Sequence, residues 1–258
     1  MLPGLGMDAR MLQPQTSYFP NSYVLKLPPA KNAASLAAYA SELVTEWPKQ
    51  LPGLTVGPGH NGSKFFLAGV AFGGMLALEI ALQVAQLASV QLSDDTQATI
   101  HRIAGVILIG STRSHTNIPI TFRVQEKLIA RLPASVGRIA MKRTLSTLAN
   151  EEGMSDVQKQ ILLEMALDSD WEQIRWGANK IAKWDRTGSS FEQMGIPIYQ
   201  IHGRQDRLLK PPSVSDATLL ILGRHLINLS MATEVNRWVE AILRDHDLNE
   251  KHAVATPA

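Results

Sequence analysis

The chain has 258 residues, 45% of them hydrophobic and 19% charged, with a mean hydropathy of -0.03. That profile excludes extensive disorder and allows a full apolar core. With 25 Lys and Arg against 23 Asp and Glu the net charge is only +2, and cysteine is absent. Bulk charge therefore gives no footprint for nucleic acid, and disulfides, thiolate metal sites and a cysteine nucleophile are excluded.

In chain order, short apolar runs alternate with helical patterns. Ser22–Leu27 predicts a strand, Ser35–Trp47 a helix, Lys64–Val70 a strand, Phe72–Ala88 a helix and Ile103–Gly110 a strand. From 111 to 193 no good strand pattern occurs, and helices are expected at Arg123–Leu132, Val136–Leu148, Asp156–Leu167 and Trp171–Trp184. Strands return at Ile196–Ile201 and Asp216–Leu222. Val235, Trp238, Val239 and Ile242 then recur at helical spacing in a last helix, Met231–Arg244, with Ser230 as its expected N-cap.

Near-continuous apolar strands separated by helices predict an α/β fold with a mostly parallel central sheet flanked by helices. Residues 1–110 and 194–246 form the expected core, 111–193 an inserted helical cap, and 247–258 a flexible tail. Charge is split within the insertion. Arg113–Arg143 holds seven bases and one acid, Glu126, whereas Thr144–Glu192 holds nine acids and five bases. Arg123, Lys127 and Arg131 fall on one helix face, which is read as a solvated surface, with attraction to anionic ligands or a membrane surface as the alternative.

The apolar run Phe65–Leu78 is broken by three glycines and stopped by Glu79, too short to span a bilayer. Met1–Gly6 has neither a basic leader nor an apolar export segment. The expectation is a cytoplasmic protein with no transmembrane segment. Gly57-Pro-Gly59-His-Asn-Gly62 matches G-x-G-x-x-G, but its glycines precede a strand instead of following one. No helix N-terminus is then positioned to hold a phosphate, so the stretch is read as a loop.

The chemistry-bearing pattern lies elsewhere. In Gly69-Val-Ala71-Phe-Gly73-Gly74 a buried strand runs straight into a helix through small residues, the layout of a nucleophile elbow with Ala71 at the apex. Further along, His202-Gly-Arg-Gln-Asp206 follows one strand and Gly223-Arg-His225 follows the next. Leu2-Pro-Gly-Leu5-Gly opens the chain.

Together these four motifs resemble the α/β-hydrolase superfamily, over Leu2 to about Leu243. The resemblance implies a serine hydrolase acting on esters, thioesters or related acyl bonds. Ala71 would stand at the nucleophile position, with Asp206 and His225 as the other triad members. The backbone amides of Leu5 and Phe72 would form the oxyanion hole, and Gly69, Gly73 and Gly74 would be the elbow glycines. A small acyl ester or similar molecule is the implied ligand, with no nucleic acid. No cofactor is required, and the seven histidines show no metal-ligand spacing. His202 is read as a structural residue at a strand end, and Ser111 as a hydroxyl satisfying local backbone.

Two departures matter. Ala71 has no hydroxyl; losing the serine from a working triad costs roughly 10⁶ in kcat. The buried strand that leads into L-P-G in the superfamily is here absent or a stub, and a start upstream of Met1 is expected. Three readings stay open: a non-catalytic descendant, a hydrolase whose serine was exchanged for alanine by engineering, and a serine-independent enzyme using His225 as base. In each, the elbow backbone at Ala71 is expected to keep its strain.

Overall fold

Ile103–Ile109 carries no polar side chain, and all seven of its residues are buried, which suits a strand covered on both faces. In the computed structural model it is β2, with β1 (Phe65–Val70) on one side, β3 (Ile198–Gly203) on the other and β4 (Ala217–Leu220) beyond. Every pairing is parallel, with Val70 opposite Ile109, Ile109 opposite Ile201 and Gly203 opposite Leu220. The structure describes residues 1–30, 33–50, 64–89, 103–212 and 217–254, with side chains described except at 47–50, 87–89 and 247–254.

Strand alternation divides the core between the two faces. Leu67, Val106 and Leu108 pack toward α2 (Leu36–Gln50) and α3 (Phe72–Ser89). Ala68, Val70, Ile107, Ile109 and Ile201 pack with Val235 and Val239 of the last helix. From Met75 to Ala81 only Glu79 is polar, and every residue is buried, so this stretch of α3 is covered on all sides.

Between β2 and β3 the chain is helical: α4 (Ile120–Ile129), α5 (Ala134–Glu151), α6 (Asp156–Asp168) and α7 (Trp171–Lys183). Ser155 and Gln158 form a capping box at the start of α6, and Asp170 accepts from the Glu172 amide at the start of α7. Among the described residues, two short helices lie outside this block, α1 (Gln13–Tyr18) and α8 (Ile227–Ser230). The final helix, α9, runs Ala232–Val254, ten residues past the Arg244 expected from its pattern.

Several sequence expectations need correction. Among the described residues Ser22–Leu27 is extended but joins no sheet: the Leu25 amide donates to the Met1 carbonyl, and Met1 N donates to Tyr23 O. A single facing residue cannot build a ladder. Ser230 is not the cap of the last helix; its hydroxyl donates to Glu152 Oε2 and the Leu226 carbonyl at the end of α8. The strand expected at Ile196–Ile201 begins two residues later, after Pro197, whose carbonyl accepts from Val106. Helix α1 and the 3₁₀ turn Ala9–Leu12 before it were not foreseen. The Gly57–Gly62 loop lies outside the described residues.

The strand expected before L-P-G is represented among the described residues by Leu2 alone. Leu2 makes one parallel bridge to Gly69, donating to the Ala68 carbonyl and accepting from the Val70 amide. No helix among the described residues is long and apolar enough to cross a membrane.

Candidate active site

Because the four described strands are all parallel, their C-terminal ends share one edge of the sheet. Ala71, Ser111, Asp206 and His225 all follow strand ends on that edge. Ala71 has φ +49, the one positive φ at a non-glycine position among the described residues. The turn is tied down from several sides: the Ala71 amide donates to Ile109 O, and its carbonyl accepts from the Gly74 amide and from Ser111 Oγ at 2.6 Å.

The three glycines are demanded by close approach. A Cβ on Gly69 would overlap the backbone of Gly73 and Gly74, and one on Gly73 would overlap the Leu2 and Pro3 carbonyls. At Gly74 the added atom would meet the Ser111 side chain. A strand-to-helix turn this tight is possible only with glycine at these positions.

Asp206 is buried at the end of β3. Its Oδ1 accepts from the amides of Leu208 and Leu209, and its Oδ2 accepts from His225 Nδ1 at 2.8 Å. Orientation of the imidazole is thereby set, with Nε2 as the nitrogen turned away from the carboxylate. His202 is fully buried beside the pair. Its Nε2 lies 3.0 Å from Asp206 Oδ2, out of line for a well-formed hydrogen bond, while Nδ1 donates to the Ser111 carbonyl at 3.1 Å. A continuous chain of contacts thus links Ala71, Ser111, His202, Asp206 and His225.

At the other wall, Leu5 and Phe72 present amides that donate to no backbone carbonyl among the described residues. A pocket of about 180 Å³ opens beside them, walled by Leu5, Leu27, Phe72 and Met165 and edged by Asp8 and Asp168. Arg10 bridges those two acids at 2.6 and 2.7 Å, so one cation is shared by two carboxylates and the edge keeps a net negative charge. Leu5 and Phe72 line this pocket, whereas Asp206 and His225 do not.

No protein-family model matches the chain, and the curated proteins give no match. Among solved structures, a thermophilic esterase from Thermogutta terrifontis is similar at a TM-score of 0.69 and 14% identity, covering 95% of this chain and 88% of that one. The enol-lactonase from Burkholderia xenovorans gives 0.64 and 16%, covering 94% and 90%. A bromoperoxidase from Bacillus anthracis gives 0.62 and 13%, also covering 94% and 90%. The chain has the α/β-hydrolase fold.

Within that fold the charges are arranged around Asp206. Burial by itself would push its carboxyl up, but the charge of His225, the contact with His202 and the His225 hydrogen bond outweigh burial and hold it well below the usual carboxylate range. For His225, burial favours the neutral ring. The Asp206 charge and hydrogen bond, with a further contribution from Glu152, reverse that preference and raise its pKa above the ordinary 6.5.

Two parts of this candidate site escaped the sequence. Glu152 accepts from the Leu226 amide at 2.7 Å and from Ser230 Oγ at 2.7 Å, fixing the loop that carries His225. It lies 73 residues from His225, and no motif marks it. Gln200 donates to the same Ser111 carbonyl as His202, at 2.9 Å; a polar residue inside the apolar run Ile196–Ile201 was the available signal.

Proposed function

We propose that this α/β-hydrolase-fold protein keeps the acyl-binding site of an esterase- or thioesterase-type serine hydrolase without its nucleophile. It binds a small acyl ester or a related carboxylic ligand and lacks serine-based turnover. The observation that carries this reading is Ala71 at φ +49: the strained apex persists although no hydroxyl is there to be displayed. In this reading Asp206 and His225 are the remaining triad partners, and the Leu5 and Phe72 amides receive the ligand's carbonyl oxygen. Helices α4 to α7 serve as the cap over a core of residues 1–110 and 194–246. Esterases and an enol-lactonase among the structural neighbours favour an acyl ligand over other chemistries of the fold.

Binding without turnover is the test. Titration with p-nitrophenyl butyrate should saturate a single site while p-nitrophenol release stays far below an enzyme's usual rate of about 1–10³ per second. Release within that range by the unaltered chain contradicts the proposal.

A second reading rests on the Asp206–His225 hydrogen bond. A ring fixed at Nδ1 has Nε2 available to take a proton from water, so His225 serves as general base with no serine. Hydrolysis by the unaltered chain that disappears in His225→Ala, and rises with pH through a single ionisation, supports this second reading. Hydrolysis unchanged in His225→Ala excludes it.

A further inference from the structure

The basic segment noted in the sequence lands on two consecutive helices with an unusual surface. On α4 the residues Ile120, Val124 and Leu128 follow one another at four-residue spacing, and on α5 Val136 and Ile139 lie three apart; all five are 47–76% exposed. Lys127, Arg131, Arg138, Lys142 and Arg143 are exposed around them. Glu126, the lone acid between 113 and 143, is turned inward and accepts from Asn179 Nδ2 of α7 at 2.8 Å. Both helices rest on α7 by their opposite sides, α4 through that bond and α5 through Gly137 against the Trp171 ring. Their aliphatic and basic sides therefore both face away from the protein.

We propose that this face of α4 and α5 docks on an anionic phospholipid surface. Aliphatic side chains standing clear of a helix, flanked by cations and free of acids, match the two layers such a surface offers. The branched chains enter the acyl boundary, while the long Lys and Arg stems carry their charges to the headgroups. Charge also separates this occupant from a second copy of the chain. Apposing two such faces would bring cation against cation around each apolar stripe, whereas an anionic bilayer neutralises them. The proposal uses no residue of the Ala71 site and is independent of the chemistry there.

Co-sedimentation of the full chain with vesicles tests it, using phosphatidylglycerol mixed with phosphatidylcholine against phosphatidylcholine alone. Partition onto the mixed vesicles is expected, weakening steadily as salt is raised. At roughly fivefold per cation near the surface, Lys127→Gln combined with Arg131→Gln should lower partition about 30-fold. Val124→Asn with Leu128→Asn should lower it at least about tenfold. These side chains are exposed, so the variants should unfold at the parent temperature, and the salt series on the unaltered chain needs no variant. No partition, equal partition onto both vesicle types, or a salt-independent dimer abolished by Val124→Asn with Leu128→Asn would overturn the proposal.

Discussion

Ser111 Oγ donates to the Ala71 carbonyl at 2.6 Å, so the residue that ends one strand's exit loop holds the turn that ends its neighbour. The hydroxyl works on the back of the elbow, where it cannot act as a nucleophile at the apex. Ser111→Ala is therefore expected to cost about 1 kcal/mol, the usual net value of such a bond, seen as a fall of about 2–4 °C in Tm. Ester hydrolysis should not change. A loss of hydrolysis without loss of stability would give Ser111 a chemical role.

The glycines at 73 and 74 should differ in how they respond to alanine. At Gly73 the new methyl meets backbone carbonyls of Leu2 and Pro3, which no rotamer change relieves. Gly73→Ala is expected to destabilise by about 3 kcal/mol or more. At Gly74 the obstacle is the Ser111 side chain, its Cβ as well as its Oγ, so Gly74→Ala should be partly rescued only when combined with Ser111→Gly. Chemical denaturation of the three variants checks this, and additive losses in the double variant contradict it.

Strain at Ala71 predicts a stabilising change in the opposite direction. The left-handed region costs a residue with Cβ about 1–2 kcal/mol, and glycine avoids that cost. Ala71→Gly should raise stability by up to about 1 kcal/mol, while the β-branched Ala71→Val should lower it by more than that. Equal stability of all three proteins would mean that the turn carries no strain.

Stability should depend on pH through Asp206 and His225 in a defined window. His225 titrates above 6.5 in the fold, so its contribution is complete below 6.5 and fades as pH rises through the raised value. Asp206 titrates below 3.8, so its contribution is present above 3.8 and fades as pH falls through the lowered value. The difference in urea midpoint between the parent and Asp206→Asn should thus be widest between those two ordinary values. The His225 ring resonances should also titrate lower in Asp206→Asn. An unchanged His225 midpoint would show that the pair is not coupled.

The fold was largely legible because its signals are local. Ile103–Ile109 and the Gly69–Gly74 turn announce a buried parallel strand and a strand-to-helix elbow within a few residues each. Asp206 and His225 were found by their order after strands, a relation that chain distance does not erase. Ser22–Leu27 misled because a short apolar run specifies an extended chain without specifying a partner, and among the described residues its long-range backbone bonds go to Met1. Glu152 and the second contact on Asp206, from His202, depend on packing between distant segments. Their residue types alone could not reveal it: a buried histidine at a strand end looks the same whether it faces a carbonyl, a carboxylate or both.

The most direct test of the account is to restore the missing hydroxyl. Hydrolysis of p-nitrophenyl acetate should be compared in the unaltered chain and in Ala71→Ser, with thermal unfolding of both as the folding control. The account predicts turnover in Ala71→Ser at least about 10³-fold above the unaltered chain, as the proposed triad with its hydroxyl supplied requires. Equal rates in the two, or a folded Ala71→Ser that stays inactive, would contradict it.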